Sequence, residues 1–219
     1  MRWRPNVQNS ILKEQVKEKP IYEIAKRFID IICSLMALTV LMPILIIVAI
    51  LIKIESSGPI IFCQNRVGKG GAIFKIYKFR SMVINAEALK EQLADENERS
   101  GPMFKIKNDP RVTKVGRIIR RTSIDELPQL LNILKGDMSI VGPRPSLPKE
   151  VEQFEEWMLK RLTVKPGLTC YWQVSGRNDI EFNQWMELDI KYVNERNIRI
   201  DIVLILKTFS TLFGDSHAS

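Results

Sequence analysis

The sequence predicts an α+β protein, mostly helical, in which a short β-hairpin and amphipathic interfacial helices accompany one apolar segment that enters a membrane. Three observations predict it. Phe28 to Ile52 reads FIDIICSLMALTVLMPILIIVAILI, 25 residues whose only charge is Asp30. Two strand-like stretches, IIFCQ and AIFKIYKFRSM, flank the glycine-rich turn RVGKGG. From Asn85 onward helix-forming segments dominate, with no internal repeat and no low-complexity linker. The 219 residues suit one domain with an appended segment. The expected divisions are a basic N-terminal segment over 1–25, a re-entrant membrane helix broken at Pro43 over 26–54, and a cytoplasmic, membrane-associated domain over 55–219.

As a straight helix the apolar segment would measure roughly 37 Å, enough to cross a bilayer core of about 30 Å. It is too long and too far from the N-terminus for a signal peptide. Pro43 removes a backbone hydrogen bond and clashes with the preceding turn, so a kink or break is expected there. Lys13, Lys17, Lys19, Lys26 and Arg27 precede the segment, while Lys53, Arg66, Lys69, Lys75, Lys78 and Arg80 follow it. Positive charge on both flanks fits a helix that bends at Pro43 and returns to the cytoplasmic face better than one that spans. Ser34 and Thr39 are candidates to satisfy freed carbonyls. The sequence alone leaves a spanning helix open. Asp30 reads as structural, at the interface or paired with Arg27.

Beyond Ile54 the elements follow in order. SSGP at Ser56 to Pro59 is a turn, and the two alternating stretches form a hairpin around RVGKGG, whose Gly68, Gly70 and Gly71 serve a turn or a phosphate cradle equally. NAEALKEQLADENER is a solvated helix, and Lys105 and Lys107 are expected in solvent. Two helical stretches occupy NDPRVTKVGRIIRRTSIDELPQLLNILKGDM, the second beginning after Ser123. SIVGPRPSLP reads as a loop, Lys149 to about Thr163 as a helix, and PGLTCYWQVSGRND as a turn with a candidate strand. DIVLILKTFSTLF is an apolar amphipathic helix, core or membrane-surface material.

Charge and composition narrow the chemistry. With 33 Lys+Arg against 25 Asp+Glu the chain carries a net charge of +8, with pI near 9.4. An anionic partner follows: nucleic acid, anionic lipid or a phosphorylated substrate. Cys33, Cys63 and Cys170 are odd in number and widely spaced, which suits reduced thiols and not a disulfide or zinc framework. A single His217 argues against a histidine triad or a histidine-rich metal site.

The stretch TSIDELPQLLNILKGDMSIVGPRP, Thr122 to Pro145, carries the candidate site. Ser123 and Glu126 have capping-box spacing, and Pro128 suits a helix's first turn, so one reading is a helix cap with surface charges. Arg117, Arg120 and Arg121 just upstream and Arg144 just downstream favour another. A carboxylate among guanidiniums stays ionised, and guanidiniums grip phosphate oxygens in bidentate fashion. An anionic nucleophile, a neighbouring acid able to hold Mg²⁺, and arginines for a diphosphate are the parts that phosphoryl transfer requires.

Three blocks resemble the bacterial sugar transferases, the monotopic polyprenyl-phosphate phosphoglycosyltransferases. They are KRFIDIICSLMALTVLMPILIIVAILIKIESSGPIIFCQNRVGKGGAIFKIYKFRSM, RTSIDELPQLLNILKGDMSIVGPRP and KPGLTCYWQVSGRN, covering about Lys26 to Asn178. The resemblance implies transfer of a sugar 1-phosphate from a UDP-sugar to polyprenyl phosphate at the cytoplasmic face of the inner membrane, with release of UMP. It implies Asp125 as nucleophile in a two-step course through a phosphosugar-aspartyl intermediate, assisted by Glu126, with Mg²⁺ on Asp125 and Glu126. Lys78, Arg80, Arg117, Arg121 and Arg144 would neutralise phosphate charge. Asp137 could stand near the metal or form an Asx turn, and Trp172, Gln173, Arg177 and Asn178 are nucleotide-side candidates, although core packing competes for Trp172. The family's membrane helix is re-entrant with a proline at its break, which assigns that role to Pro43. The expected partners are both substrates and inner-membrane lipid, with a homodimer as a candidate and no nucleic acid. Larger members carry additional N-terminal membrane helices, so a minimal form is expected. Two alternatives remain: a glycosyltransferase releasing UDP, though no DxD motif is present, and a non-catalytic basic membrane-bound module.

Overall fold

The computed structural model describes residues 18–93, 97–98, 104, 106, 108–175 and 180–214. Helix α1 runs over Pro20–Glu55, 36 residues, with Pro20 in its first turn, where a missing N–H costs nothing. The expected boundaries move: the helix begins at Pro20, and its helical backbone continues through Pro43, where a break was expected. Thr39, whose carbonyl loses its partner to Pro43, donates its own hydroxyl to Leu35 O at 2.9 Å. Ser34 is fully buried, and its hydroxyl has no hydrogen-bond partner among the described residues. The helix ends at Ser56, before the turn that includes Gly58 at φ 112°.

Strands β1 (Ile61–Val67) and β2 (Ile73–Phe79) form the expected antiparallel hairpin, in register from Ile61 opposite Phe79 to Val67 opposite Ile73. Gly70 (φ 66°) and Gly71 (φ 77°) make its turn, so this glycine cluster is a hairpin device. Helix α2 spans Ala86–Gln92 and α3 Lys114–Arg121. A 3-10 turn, Ile124–Glu126, follows, then α4 over Gln129–Lys135.

Beyond α4 the path departs from expectation. The segment read as a loop begins with β3 (Ser139–Val141), which pairs in parallel with β4 (Gly167–Thr169). The two strands approach closely because Gly142 and Gly167 lie against each other, and a Cβ on either would run into the other's backbone. The helix expected over 149–163 is two pieces, α5 (Pro148–Val151) and a 3-10 helix, Glu156–Thr163. After β4 come α6 (Tyr171–Val174), α7 (Phe182–Glu195) and α8 (Ile198–Gly214); the last matches the expected apolar helix.

Small clusters, not one central core, join these elements. Ile76 of β2 meets Leu130, Ile133 and Met138, with Ala37 and Leu38 of α1 against them. Phe79 and Ile119 pack with Val48 and Ile52, the other half of α1. Truncating Ile133 or Met138, each fully buried, would cost about 2–5 kcal/mol. Polar contacts pin α1 further. Lys26 donates to Asp201 at 2.8 Å, Arg27 to Ile133 O and Leu134 O, and Asp30 accepts from Ser139 Oγ (3.0 Å) and Ile140 N (2.9 Å). Asp30 is therefore structural, but its partners are in β3 and not Arg27. α1 is long and apolar enough to cross a membrane by length and composition, and little of its most apolar stretch is covered. Exposed apolar side chains continue on α3 (Ile118) and α8 (Leu206, Phe209).

Candidate active site

Between α3 and α4 the chain must reverse, and Ser123 does this in the left-handed conformation, φ 55°. Its side chain caps nothing, and Pro128 occupies the N-cap position of α4. The capping-box reading of Ser123 and Glu126 is thereby overturned. Glu126 turns away from the backbone and accepts from Lys78 Nζ at 2.6 Å and Arg144 Nη1 at 3.3 Å. Lys78 comes from β2. Arg144 comes from the GPRP loop, which is tied down at three successive residues. Arg161 Nη2 donates to Arg144 O at 2.7 Å, Arg66 Nη1 to Pro145 O at 3.0 Å, and Val67 N to Ser146 O at 2.9 Å. Arg161 is itself buried and paired with Asp189 of α7 at 2.6 Å.

Asp125 differs from its neighbour. It is buried, 9% exposed, yet its carboxylate has no hydrogen bond or ion pair among the described residues. Burial and the adjacent Glu126 push its pKa up to about 6, against the opposing pull of Lys78, Arg120 and Arg144. At neutral pH the group is mostly ionised, poorly solvated and uncommitted, a combination that favours nucleophilic attack. Burial pushes Glu126 up as well, but Lys78 and Arg144 outweigh it and hold the carboxyl well below the usual range. Two adjacent acids thus acquire separate characters.

Both acids line a cleft of about 550 Å³, open to the surface, within the usual size of small-molecule sites. Of the sequence candidates, Lys78, Arg144, Trp172 and Gln173 line it. The remaining candidates fare differently. Arg80 lines the cleft, but its guanidinium is engaged by Ser57 O, Ser56 O and Oγ, and Ile52 O, which makes it a clamp on the end of α1. Arg117 and Arg121 lie exposed on α3 and outside the lining; Arg120 takes their place. Helix geometry is the reason, because Arg117 and Arg121 are one turn apart and share a face. Asp137 sits past the end of α4, outside the cleft, and accepts from Asn132 Nδ2 at 3.4 Å. Arg177 and Asn178 lie outside the described residues, as do Lys105 and Lys107. Sequence reasoning also missed Arg66, although period-two alternation along β1 puts Phe62, Gln64 and Arg66 on one face, all lining the cleft.

Among the described residues no cluster of three or more His, Cys, Asp or Glu side chains could cage a metal. A Mg²⁺ that shares its shell with substrate phosphates and water needs only one or two carboxylates. Asp125, unpartnered, and Glu126 Oε2, which accepts nothing among the described residues, fit that lesser demand.

A long apolar helix that is mostly uncovered, a hairpin and a cationic cleft with an unpaired carboxylate among the described residues fit a membrane-associated protein. The chain belongs to the bacterial sugar transferase family, whose model matches residues 21–215. It is 48% identical over 190 residues to "Galactosyl transferase CpsE" of Streptococcus agalactiae, covering 86% of this chain and 42% of that relative. It is 44% identical over 206 residues to "Undecaprenyl-phosphate galactose phosphotransferase" of Salmonella typhimurium, covering 92% and 42%. The chain thus spans less than half the length of these two curated relatives. Against "Exopolysaccharide production protein ExoY" of Sinorhizobium fredii it is 39% identical over 194 residues, covering 87% of this chain and 86% of the relative.

Proposed function

We propose that the chain transfers a sugar 1-phosphate from a UDP-sugar to polyprenyl phosphate and releases UMP, with Asp125 as the nucleophile. The observation that carries this reading is the buried, unpartnered Asp125 carboxylate beside a Glu126 already committed to Lys78 and Arg144. A carboxylate oxygen of Asp125 attacks the β-phosphorus. The bond from that phosphorus to the bridging oxygen breaks, and UMP leaves with the oxygen. A phosphate oxygen of the polyprenyl acceptor then attacks the same phosphorus, breaks its bond to Asp125, and frees the carboxylate as polyprenyl-diphospho-sugar forms. Lys78, Arg120 and Arg144 face the charge that develops, and Lys78 and Arg144 hold Glu126 in place. Mg²⁺ bound by Asp125 and Glu126 would add charge neutralisation at the diphosphate.

The setting of α1 supports a membrane-surface site. Leu38 packs on one cluster and Leu45 on another, so at most six residues, 39–44, separate the two anchored halves. Six residues are about 9 Å of helix, far short of a bilayer core of about 30 Å. We read a helix anchored on both sides of so short an interval, with Pro43 inside it, as held at one face of the membrane and not as spanning it. Both ends, and the cleft, then lie on the cytoplasmic face of the inner membrane, where a lipid-linked phosphate is presented.

A screen of UDP-sugars with undecaprenyl phosphate and Mg²⁺ tests the reaction by the nucleotide released. UMP is expected; UDP would indicate transfer of the sugar without its phosphate and refute the reading. Comparing galactose, glucose and N-acetylhexosamine donors identifies the sugar.

A further inference from the structure

The cleft has two unlike linings. Lys78, Arg120 and Arg144 bring cations to Asp125 and Glu126, while Pro59, Phe62, Val83, Ile84 and Phe104 contribute apolar surface. Ile84 is 66% exposed and Phe62 38%, so this apolar part stands open to whatever enters.

Both ends of the apolar lining can be placed. Ile47, Ile50, Leu51 and Ile54 carry the exposed apolar face of α1 to its last turn. The chain then turns through Gly58, and Ile84 lies so close that a Cβ on Gly58 would meet its Cδ1 at 2.9 Å. Arg80 fixes this junction by donating to Ser56 O and Ser57 O. Apolar surface therefore runs from the end of the membrane helix into the cleft through Pro59, Ile84 and Phe62. At the other end, Phe62 is the cross-strand partner of Lys78. Such pairs share one face of the hairpin with Cβ atoms about 5 Å apart, and Lys78 donates to Glu126 at 2.6 Å. The lining stops one residue pair short of the acids.

A double displacement through Asp125 gives this lining a use. In each step the entering and leaving groups lie roughly in line on opposite sides of phosphorus. UMP leaves opposite Asp125, and the acceptor phosphate later enters opposite Asp125, so it takes the place that UMP vacated. Cations that grip one phosphate grip the other and cannot tell donor from acceptor. What differs is the group beyond the phosphate, a ribose and base in one and a hydrocarbon chain in the other. A polar ribose gains little from apolar surface, whereas a hydrocarbon chain gains along its whole length.

We infer that Pro59, Phe62 and Ile84 seat the first isoprenoid units of the lipid phosphate acceptor, and that this apolar lining, not the cations, selects acceptor over nucleotide. The inference rests on the reaction proposed above and deepens it. The chain enters from the exposed face of α1, passes Ile84 and Pro59, and delivers its phosphate past Phe62 to Lys78 and Asp125.

Two acceptors and two variants test it. Undecaprenyl phosphate in detergent micelles is compared with water-soluble geranyl phosphate, read as a substrate or as a competitor. Ile84→Asn and Phe62→Ser alter exposed side chains, and their melting temperatures are measured alongside. Ile84→Asn should raise the KM or inhibition constant of both acceptors roughly fivefold to thirtyfold, the range for covering the exposed two thirds of an isoleucine. Phe62→Ser should act in the same direction. The KM for the UDP-sugar should stay within about twofold, and the burst of UMP released without acceptor should keep its rate, because the first displacement makes no use of the chain. An effect on undecaprenyl phosphate but not on geranyl phosphate would place Ile84 in the membrane and not on the acceptor. A KM raised for the UDP-sugar alone would place the base on this lining. Either result overturns the assignment, as does wild type indifferent to geranyl phosphate. Wild-type protein that releases UMP from no UDP-sugar removes the proposed function, and this assignment with it; UMP release with unaltered acceptor constants in both variants removes the assignment alone.

Discussion

Replacing Asp125 with Asn should abolish turnover and make the protein more stable, and the size of the gain follows from the site. Its carboxyl, ordinarily near 3.8, is pushed up to about 6 by burial and by Glu126. A folded-state pKa above the unfolded one means that the native protein holds the proton more tightly between those two values. Stability therefore falls as pH rises through about 3.8 to 6, and the cost is complete above that window. At about 1.4 kcal/mol per tenfold, the ionised carboxylate costs the wild type at most about 3 kcal/mol at neutral pH. Asn has nearly the same shape and no charge, so the variant escapes that cost. For a chain of this size 1 kcal/mol moves the melting temperature by about 2–4 °C, which places the gain at up to roughly 6–12 °C. Melting in detergent should show it at pH 7.5 and little of it at pH 4. A variant no more stable than wild type at pH 7.5, or equally stabilised at both pH values, would refute the idea that Asp125 is held ionised at a cost.

Three other outcomes follow from the same geometry. Glu126→Gln removes an anion that raises Asp125 and leaves Lys78 and Arg144 facing it; the acidic limb of kcat/KM should move below about pH 6 toward 3.8, and a limb that stays or moves up contradicts the coupling. Asp189→Asn strands the buried Arg161 guanidinium, which should cost about 3–5 kcal/mol and, through its bond to Arg144 O, lower kcat/KM; unaltered melting would show the pair to be dispensable. In a background with Cys33, Cys63 and Cys170 replaced by Ser, single cysteines at the exposed Ile24 and Ile54 should react with a membrane-impermeant maleimide from the same side of sealed vesicles. Labelling from opposite sides would establish a spanning helix.

Local periodicity made the hairpin, the apolar helix and the terminal helix α8 legible. Alternation and turn glycines act within a few residues, as at Gly70 and Gly71. The β3–β4 pair was illegible, because three-residue parallel strands 28 positions apart carry almost no local signal and depend on Gly142 meeting Gly167. Helicity through Pro43 reflects context overriding a breaker, with the two halves of α1 each packed on a cluster of its own. In the site, the motif pointed to Asp125, Glu126, Lys78 and Arg144, all of which line the cleft, whereas Arg117 and Arg121 of α3 lie outside it and Arg120 inside. Choosing Arg120 required the helix phase, and the left-handed Ser123 defeated a capping signal that looked sound by spacing. Arg80 satisfied the charge pattern yet serves the end of α1. Arg161 and Asp189, which set Arg144 from beneath, are 28 residues apart and showed no pattern that joined them.

Intact-mass and peptide analysis of the full chain, incubated with its UDP-sugar and Mg²⁺ but without acceptor, bears most directly on Asp125. A sugar-phosphate adduct should appear on the peptide containing Asp125, with about one UMP released per protein, and should vanish when undecaprenyl phosphate is added. The Asp125→Asn variant should form neither adduct nor product. Turnover retained in that variant, or an adduct on another residue, would contradict the assignment of Asp125 as nucleophile.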